Sequence, residues 1–119
     1  MKEMLEMGTE VNLSSSHFLP DYNGKCRQQH GHNWKVEIKI RGFPHVETGM
    51  LIDFNDLKTI MSQYDHCDLN EHLSNPTCER LVEFLLQELS EYINSENIKE
   101  IELKISETEK NYVSGRMLL

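Results

Sequence analysis

The chain has 119 residues, the length of one small domain with a single core. Its formal charge of −8 at pH 7 excludes a broadly basic surface for nucleic acid or anionic membrane, so an anionic ligand needs a local cluster of cations. No apolar run reaches the roughly 18 residues of a membrane helix, the N-terminal Met1-Lys2-Glu3-Met4-Leu5-Glu6 has no signal-peptide core, and Cys26, Cys67 and Cys78 lack a Cys-x-x-Cys spacing; a cytoplasmic protein with free thiols is expected.

Thr9 to His17 alternates as a strand, with Val11, Leu13, Ser15 and His17 on one face. Leu19-Pro20-Asp21-Tyr22-Asn23-Gly24 is turn-rich and leads into a loop that carries Lys25, Cys26 and Arg27. A second strand over His30 to Gly42 places Trp34, Val36, Ile38 and Ile40 on one face and Lys35, Glu37, Lys39 and Arg41 on the other, wet face; His30 and His32 share the apolar parity. After Gly42-Phe43-Pro44-His45, the run Met50-Leu51-Ile52 ends at Asp53, an N-cap for a helix whose stripe is Phe54, Leu57, Ile60, Met61 and Tyr64.

The polar cluster Asp65-His66-Cys67-Asp68-Leu69-Asn70 marks that helix's exit. A second helix runs from Thr77 to about Asn94 on Leu81, Val82, Leu85, Leu86, Leu89 and Ile93, capped either by Asn75 with Pro76 at the first helical position or by Thr77. A strand over Ile98 to Glu107 carries Glu107 onto its apolar parity, and Asn111 to Leu119 reads as a fourth strand. The order β-β-α-α-β-β predicts one α+β domain over residues 1–119, with two helices on one face of a four-stranded antiparallel sheet. Its two sheet edges predict continuation between subunits.

Four chemical features stand out. His30 and His32, at i and i+2, face the same way on an extended chain with Gly31 between them, and His17 extends the apolar face of the neighbouring strand. Unpartnered imidazoles there are costly, and three histidines with one vacant position suit a catalytic zinc. Cys26 is either a small structural hydrophobe or, between Lys25 and Arg27, a thiol biased towards thiolate. Asp65-His66 is either a solvated pair or a carboxylate that fixes an imidazole for proton transfer. A lone Glu107 at a strand end turns outward more often than not; buried, it would want a ligand with paired N–H donors. His45 and His72 read as solvated loop residues.

His17, the run Cys26-x-x-x-His30-Gly31-His32-Asn33-Trp34, Gly49-Met50-Leu51-Ile52-Asp53-Phe54, Asp65-His66-x-x-Leu69-Asn70, Asn75-Pro76-Thr77-x-Glu79 and Glu107-Thr108 resemble the 6-pyruvoyl-tetrahydropterin synthase family. Within it the chain is most similar to the 6-carboxytetrahydropterin synthases of queuosine biosynthesis. The resemblance spans nearly the whole chain and implies the tunnelling fold (T-fold), with a hexamer built as a dimer of trimers and active sites at subunit interfaces. It implies zinc held by His17, His30 and His32, Cys26 as the proton-abstracting thiolate, and Asp65 with His66 as a relay lent to a neighbouring subunit. Glu107, with Thr108 beside it, would anchor a pterin ring. The implied reaction converts 7,8-dihydroneopterin triphosphate to 6-carboxytetrahydropterin, acetaldehyde and triphosphate, for which Lys25 and Arg27 are the nearest phosphate-binding cations.

The chain departs from the family pattern at Ser14-Ser15-Ser16, at Trp34, at Cys78 and in its short C-terminal end. Two rivals share much of this signature: the pyruvoyl-forming synthase, in which the gap between the cysteine and the first histidine is usually longer, and a non-catalytic pterin or purine binder, which would not need Cys26, Asp65 and His66.

Overall fold

The computed structural model describes residues 2–24, 28–93 and 96–119. Strand β1 (Leu5–His17) and β2 (His30–Gly42) form a long hairpin, followed by helix α1 (Phe54–Ser62), a 3-10 turn over Leu69–Glu71, helix α2 (Cys78–Tyr92), and the hairpin of β3 (Ile98–Ser106) and β4 (Tyr112–Leu118). All neighbours in the sheet are antiparallel, in the order β1-β2-β3-β4, so both helices sit in the single long connection from β2 to β3. This is the expected α+β architecture.

Period-two patterning builds the sheet in rows across its core face. Met7, Ile40, Ile101 and Met117 form one row, and Val11, Val36, Ile105 and Val113 another. Between them lies Thr9–Ile38–Leu103–Gly115, where a Cβ on Gly115 would stand 3.1 Å from Val82 and 3.3 Å from Leu86; the missing side chain lets α2 approach the sheet. The apolar stripe of α2 is buried against these rows throughout. The opposite sheet face is charged and paired, with Lys35 to Glu10 at 3.3 Å, Lys39 to Glu102 at 3.7 Å, and Arg41 among Glu6, Glu100 and Glu102. Exposed pairs contribute up to about 1 kcal/mol each, whereas burying one Leu or Ile contributes about 1.5–3 kcal/mol, so the helix-covered face holds the fold together.

Several boundaries differ from the sequence reading for local reasons. β1 begins at Leu5, since Leu5 and Met7 continue its parity through Gly8. α1 ends at Ser62, and Phe54 stays half exposed while Leu57, Ile60, Met61 and Tyr64 are buried. Of the two candidate caps for α2, Thr77 is the one used: its hydroxyl accepts the Arg80 N–H at 3.1 Å, while the Asn75 side chain accepts from the Asp21 N–H instead. No helix among the described residues is long and apolar enough to cross a membrane.

Candidate metal centre and adjoining clefts

β2 outruns β3. The ladder between them stops at Lys35 paired with Ser106, whereas β1 and β2 stay paired to the end, with Leu13 opposite Trp34, Ser15 opposite His32 and His17 opposite His30. The core-facing rows therefore change at this overhang from aliphatic to Trp34 and then to imidazole. Trp34 is fully buried and stands edge-on to His17 and His32, at centroid distances of 5.1 and 5.0 Å, forming the floor on which the histidines rest.

Three imidazoles and one carboxylate, from His17, His30, His32 and Glu107, bring their ligand atoms within 4.8 Å of one another. Nδ1 of His17 lies 2.8 Å from the Pro76 carbonyl and Nδ1 of His30 lies 2.8 Å from the Gln28 carbonyl. A carbonyl only accepts, so both Nδ1 atoms carry the proton and both Nε2 atoms present lone pairs. Yet these two Nε2 atoms are 2.9 Å apart. Two acceptors hold that separation comfortably only around a shared cation, and imidazoles oriented by backbone carbonyls are the usual arrangement of metal-ligating histidines. Nε2 of His32 is buried without a hydrogen-bond partner among the described residues, although Glu107 Oε1 lies 3.1 Å away. The residues fit a metal ion.

Electrostatics agree. Burial, reinforced by His30, pulls the pKa of His17 below 6.5 against the opposing Pro76 carbonyl and Glu107. Burial likewise lowers that of His32, against the pull of Glu107. Both shifts favour the neutral imidazole that binds metals.

Of the other expected site residues that are described, Asp65 and His66 fall on one side of this centre and Thr108 on the other. Asp65 and His66 do come together: Asp65 Oδ1 accepts the Ser14 N–H at 2.7 Å, and Oδ2 stands 3.6 Å from His66 Nε2. The His66 N–H donates to the Ser14 carbonyl at 2.6 Å and the Ser16 N–H to the Cys67 carbonyl at 3.0 Å, so residues 65–68 seal the outer edge of β1. His66 has φ 53°, a region costly for a residue with a Cβ, and its side chain is 80% exposed. It lines a cleft of about 560 Å³ together with Ser14, Ser16, His32, Asn33 and Cys67.

On the far side of His32, Glu107 and Thr108 line a second cleft of about 720 Å³ with Lys35, Lys104, Lys110 and Tyr112. The Thr108 hydroxyl accepts the N–H groups of Lys110 and Asn111 at 3.3 and 3.1 Å, shaping the turn into β4. Lys25, Cys26 and Arg27 lie outside the described residues. His45 and His72 are exposed, as expected of loop residues, although the His72 ring rests edge-on against Tyr64.

Some supporting roles carry no sequence signal. Asn70 clamps the residue after His17 by accepting the Phe18 N–H at 2.8 Å and donating to its carbonyl at 2.9 Å. Buried Ser15 donates to the Tyr64 carbonyl, tying β1 to the end of α1. The Asp65-His66-x-x-Leu69-Asn70 spacing was visible, but not that its asparagine braces the strand end that carries His17.

Comparisons with known proteins agree with this architecture. A putative 6-carboxy-5,6,7,8-tetrahydropterin synthase of Archaeoglobus fulgidus is 39% identical over 95 residues, covering 76% of this chain and 81% of that protein. A 6-carboxy-5,6,7,8-tetrahydropterin synthase of Bacillus subtilis is 28% identical, covering 90% and 82%. The fold is that of the Caenorhabditis elegans 6-pyruvoyl tetrahydropterin synthase structure, with a TM-score of 0.78 at 23% identity over 98% of this chain and 97% of that one. The family profile described as 6-pyruvoyl tetrahydropterin synthase matches residues 6–117, and with its sheet, helices and histidine cluster accounted for, the chain belongs to that family.

Proposed function

We propose that the chain is a zinc-dependent lyase that converts 7,8-dihydroneopterin triphosphate to 6-carboxy-5,6,7,8-tetrahydropterin, acetaldehyde and triphosphate, in the cytoplasmic route to queuosine. The observation that carries this reading is the convergence of three imidazoles, of which His17 and His30 have tautomers set so that their lone pairs meet and His32 brings a buried, unpartnered Nε2 to the same place. The likeness to relatives named for the carboxy-forming activity supports it, as does the three-residue gap between Cys26 and His30.

His17, His30 and His32 would hold the zinc, whose chemistry when bound is Lewis-acid activation of an adjacent hydroxyl. Glu107 accepts hydrogen bonds from the amino and ring N–H groups of the pterin, with Thr108 beside it, and so fixes the ring in the cleft that His32 also lines. Cys26 takes a proton as thiolate, favoured by Lys25 and Arg27, which also face the phosphates in this reading. Asp65 faces Nε2 of His66, leaving Nδ1 to take up and return a proton. The exposed imidazole suits a relay offered to a neighbouring subunit, in a homo-oligomer, a hexamer of two trimers, of this single domain.

Incubation of the purified protein with 7,8-dihydroneopterin triphosphate tests the reading. Acetaldehyde release, abolished in Cys26→Ala, is expected. A product that keeps a pyruvoyl side chain would replace it with the pyruvoyl-forming synthase, and tight pterin binding without turnover would replace it with a binding protein. Zinc content unaffected by changing His30 and His32 would remove the metal centre.

A further inference from the structure

The geometry points to a second role for Glu107: in the substrate-free protein its carboxylate is the fourth ligand of the metal held by His17, His30 and His32. This rests on the metal centre of the proposed function and gives the pterin anchor a place before any pterin arrives.

The separations carry the inference. With zinc–ligand bonds of 2.0–2.1 Å, two ligand atoms of a regular tetrahedron stand about 3.3 Å apart. Three separations within the cluster scatter around that value, His17 Nε2 to His30 Nε2 at 2.9 Å, His32 Nε2 to Glu107 Oε1 at 3.1 Å, and His17 Nε2 to the same oxygen at 3.6 Å, and all four ligand atoms lie within 4.8 Å of one another. One carboxylate oxygen thus completes a four-cornered cage with three nitrogens. The second observation is the buried, unpartnered Nε2 of His32: the carboxylate is near it but out of hydrogen-bond alignment, as fits two atoms directed at a common centre rather than at each other.

Chain position makes this reachable. Glu107 directly follows Ser106, where the β2–β3 ladder ends, and its N–H is held by the Asn111 carbonyl at 3.0 Å, so its side chain can turn along the overhang towards the histidines or into the adjoining cleft. One carboxylate cannot serve both places at once. Glu107 would leave the metal for the paired N–H donors of a pterin ring, and its departure would leave room at the three histidines for the hydroxyls of the same molecule. A simple diol, without the ring to engage Glu107, would be a poor ligand. The shift follows from the difference in affinity of the carboxylate for the two places.

The Co²⁺-substituted protein tests this without turnover, with azide as the probe of an open coordination position followed by visible absorption. Glu107→Gln is expected to bind azide about tenfold or more tightly than the wild type, and to lose zinc to a competing chelator about tenfold or more readily, as expected for a residue at the metal. Glu107→Asp, which keeps the charge but withdraws the carboxylate by one methylene, is expected to open as well, and it keeps the test decisive should Glu107→Gln fold poorly by circular dichroism. Equal azide affinity and zinc retention in wild type and Glu107→Gln overturn the proposal. So does an aspartate variant as closed as the wild type, which would reduce Glu107 to a distant charge. Pterin itself, with ring N–H groups but no side-chain hydroxyls, should make the wild type azide-sensitive; bound pterin that leaves it closed overturns the exchange. Absence of acetaldehyde with the azide difference intact removes the proposed reaction alone, and acetaldehyde with equal azide binding removes only the fourth ligand.

Discussion

His17 is 1% exposed, with its Nδ1 proton on a carbonyl, its Nε2 close to His30 and Glu107, and Trp34 beneath it. Such an imidazole resists a second proton, which makes the metal-free protein sensitive to acid. Because the folded-state pKa values of His17 and His32 lie below 6.5, an unfolded chain binds these protons first as pH falls. Their contribution is intact above pH 6.5 and lost as pH falls towards the folded values. The melting temperature of metal-free protein should therefore drop between about pH 7.5 and 5.5, and drop less in His17→Gln. An equal drop in both would show that other groups govern acid stability.

The thiols separate in the same way. Burial, with Glu107 and Glu79 nearby, pushes Cys78 up to about 12, and its Sγ donates to the Ile105 carbonyl at 3.4 Å. Burial also raises Cys67, whose Sγ donates to the Tyr64 carbonyl at 3.1 Å. Iodoacetamide labelling of native protein near pH 7, read by mass spectrometry, should mark Cys26 well before Cys67 and leave Cys78 unmodified; Cys78 reacting as fast as Cys26 would contradict this. At this scale the sequence showed which side chains face the core end of the hairpin, because strand parity is a local property. It did not show what orients them. Pro76 and Gln28 act through backbone carbonyls, which any residue carries, and the approach of Glu107 depends on where β3 stops.

Among the elements, the β1–β2 hairpin and α2 matter most to the site: one carries the histidines, and the segment leading into the other holds His17 through Pro76. Both were readable from periodicity, including the limits of β2. The 3-10 turn was not, since Leu69 alone is too little apolar pattern to announce a buried turn. Two glycines give opposite predictions. Gly115 sits where α2 meets the sheet, so Gly115→Val should cost about 1–3 kcal/mol in denaturant unfolding through overpacking against Val82 and Leu86. A Cβ on Gly31, between the two histidines, meets nothing within 4 Å among the described residues, so Gly31→Ala should leave both stability and zinc content near wild type. Similar losses at both positions would mean that backbone strain, rather than the helix–sheet gap, decides the outcome.

On the scale of the whole molecule, the sheet ends in two edge strands, β1 and β4. Unprotected edges invite a further strand, and the proposed homo-oligomer would use them. Outward N–H groups on β1 fall at Ser14 and Ser16, and by the two-residue alternation also at Asn12. Asn12→Pro removes one donor from the outer edge without touching the ladder to β2, so light scattering should report a smaller assembly with an unchanged circular dichroism spectrum. An unchanged mass would exclude the β1 edge from assembly.

The short seal of residues 65–68 along β1 has a consequence for that edge. A strand sliding along β1 towards His17 meets Asp65 already occupying the Ser14 N–H and can travel no further. In the proposed homo-oligomer the seal would be an end-stop: it would limit the landing length to Leu5 through Leu13 and so set the register of a docking strand. The same residues that hold His66 in its strained turn would also keep an incoming chain from growing over the histidine cluster, so that one piece of backbone would set both the placement of a neighbour and access to the site.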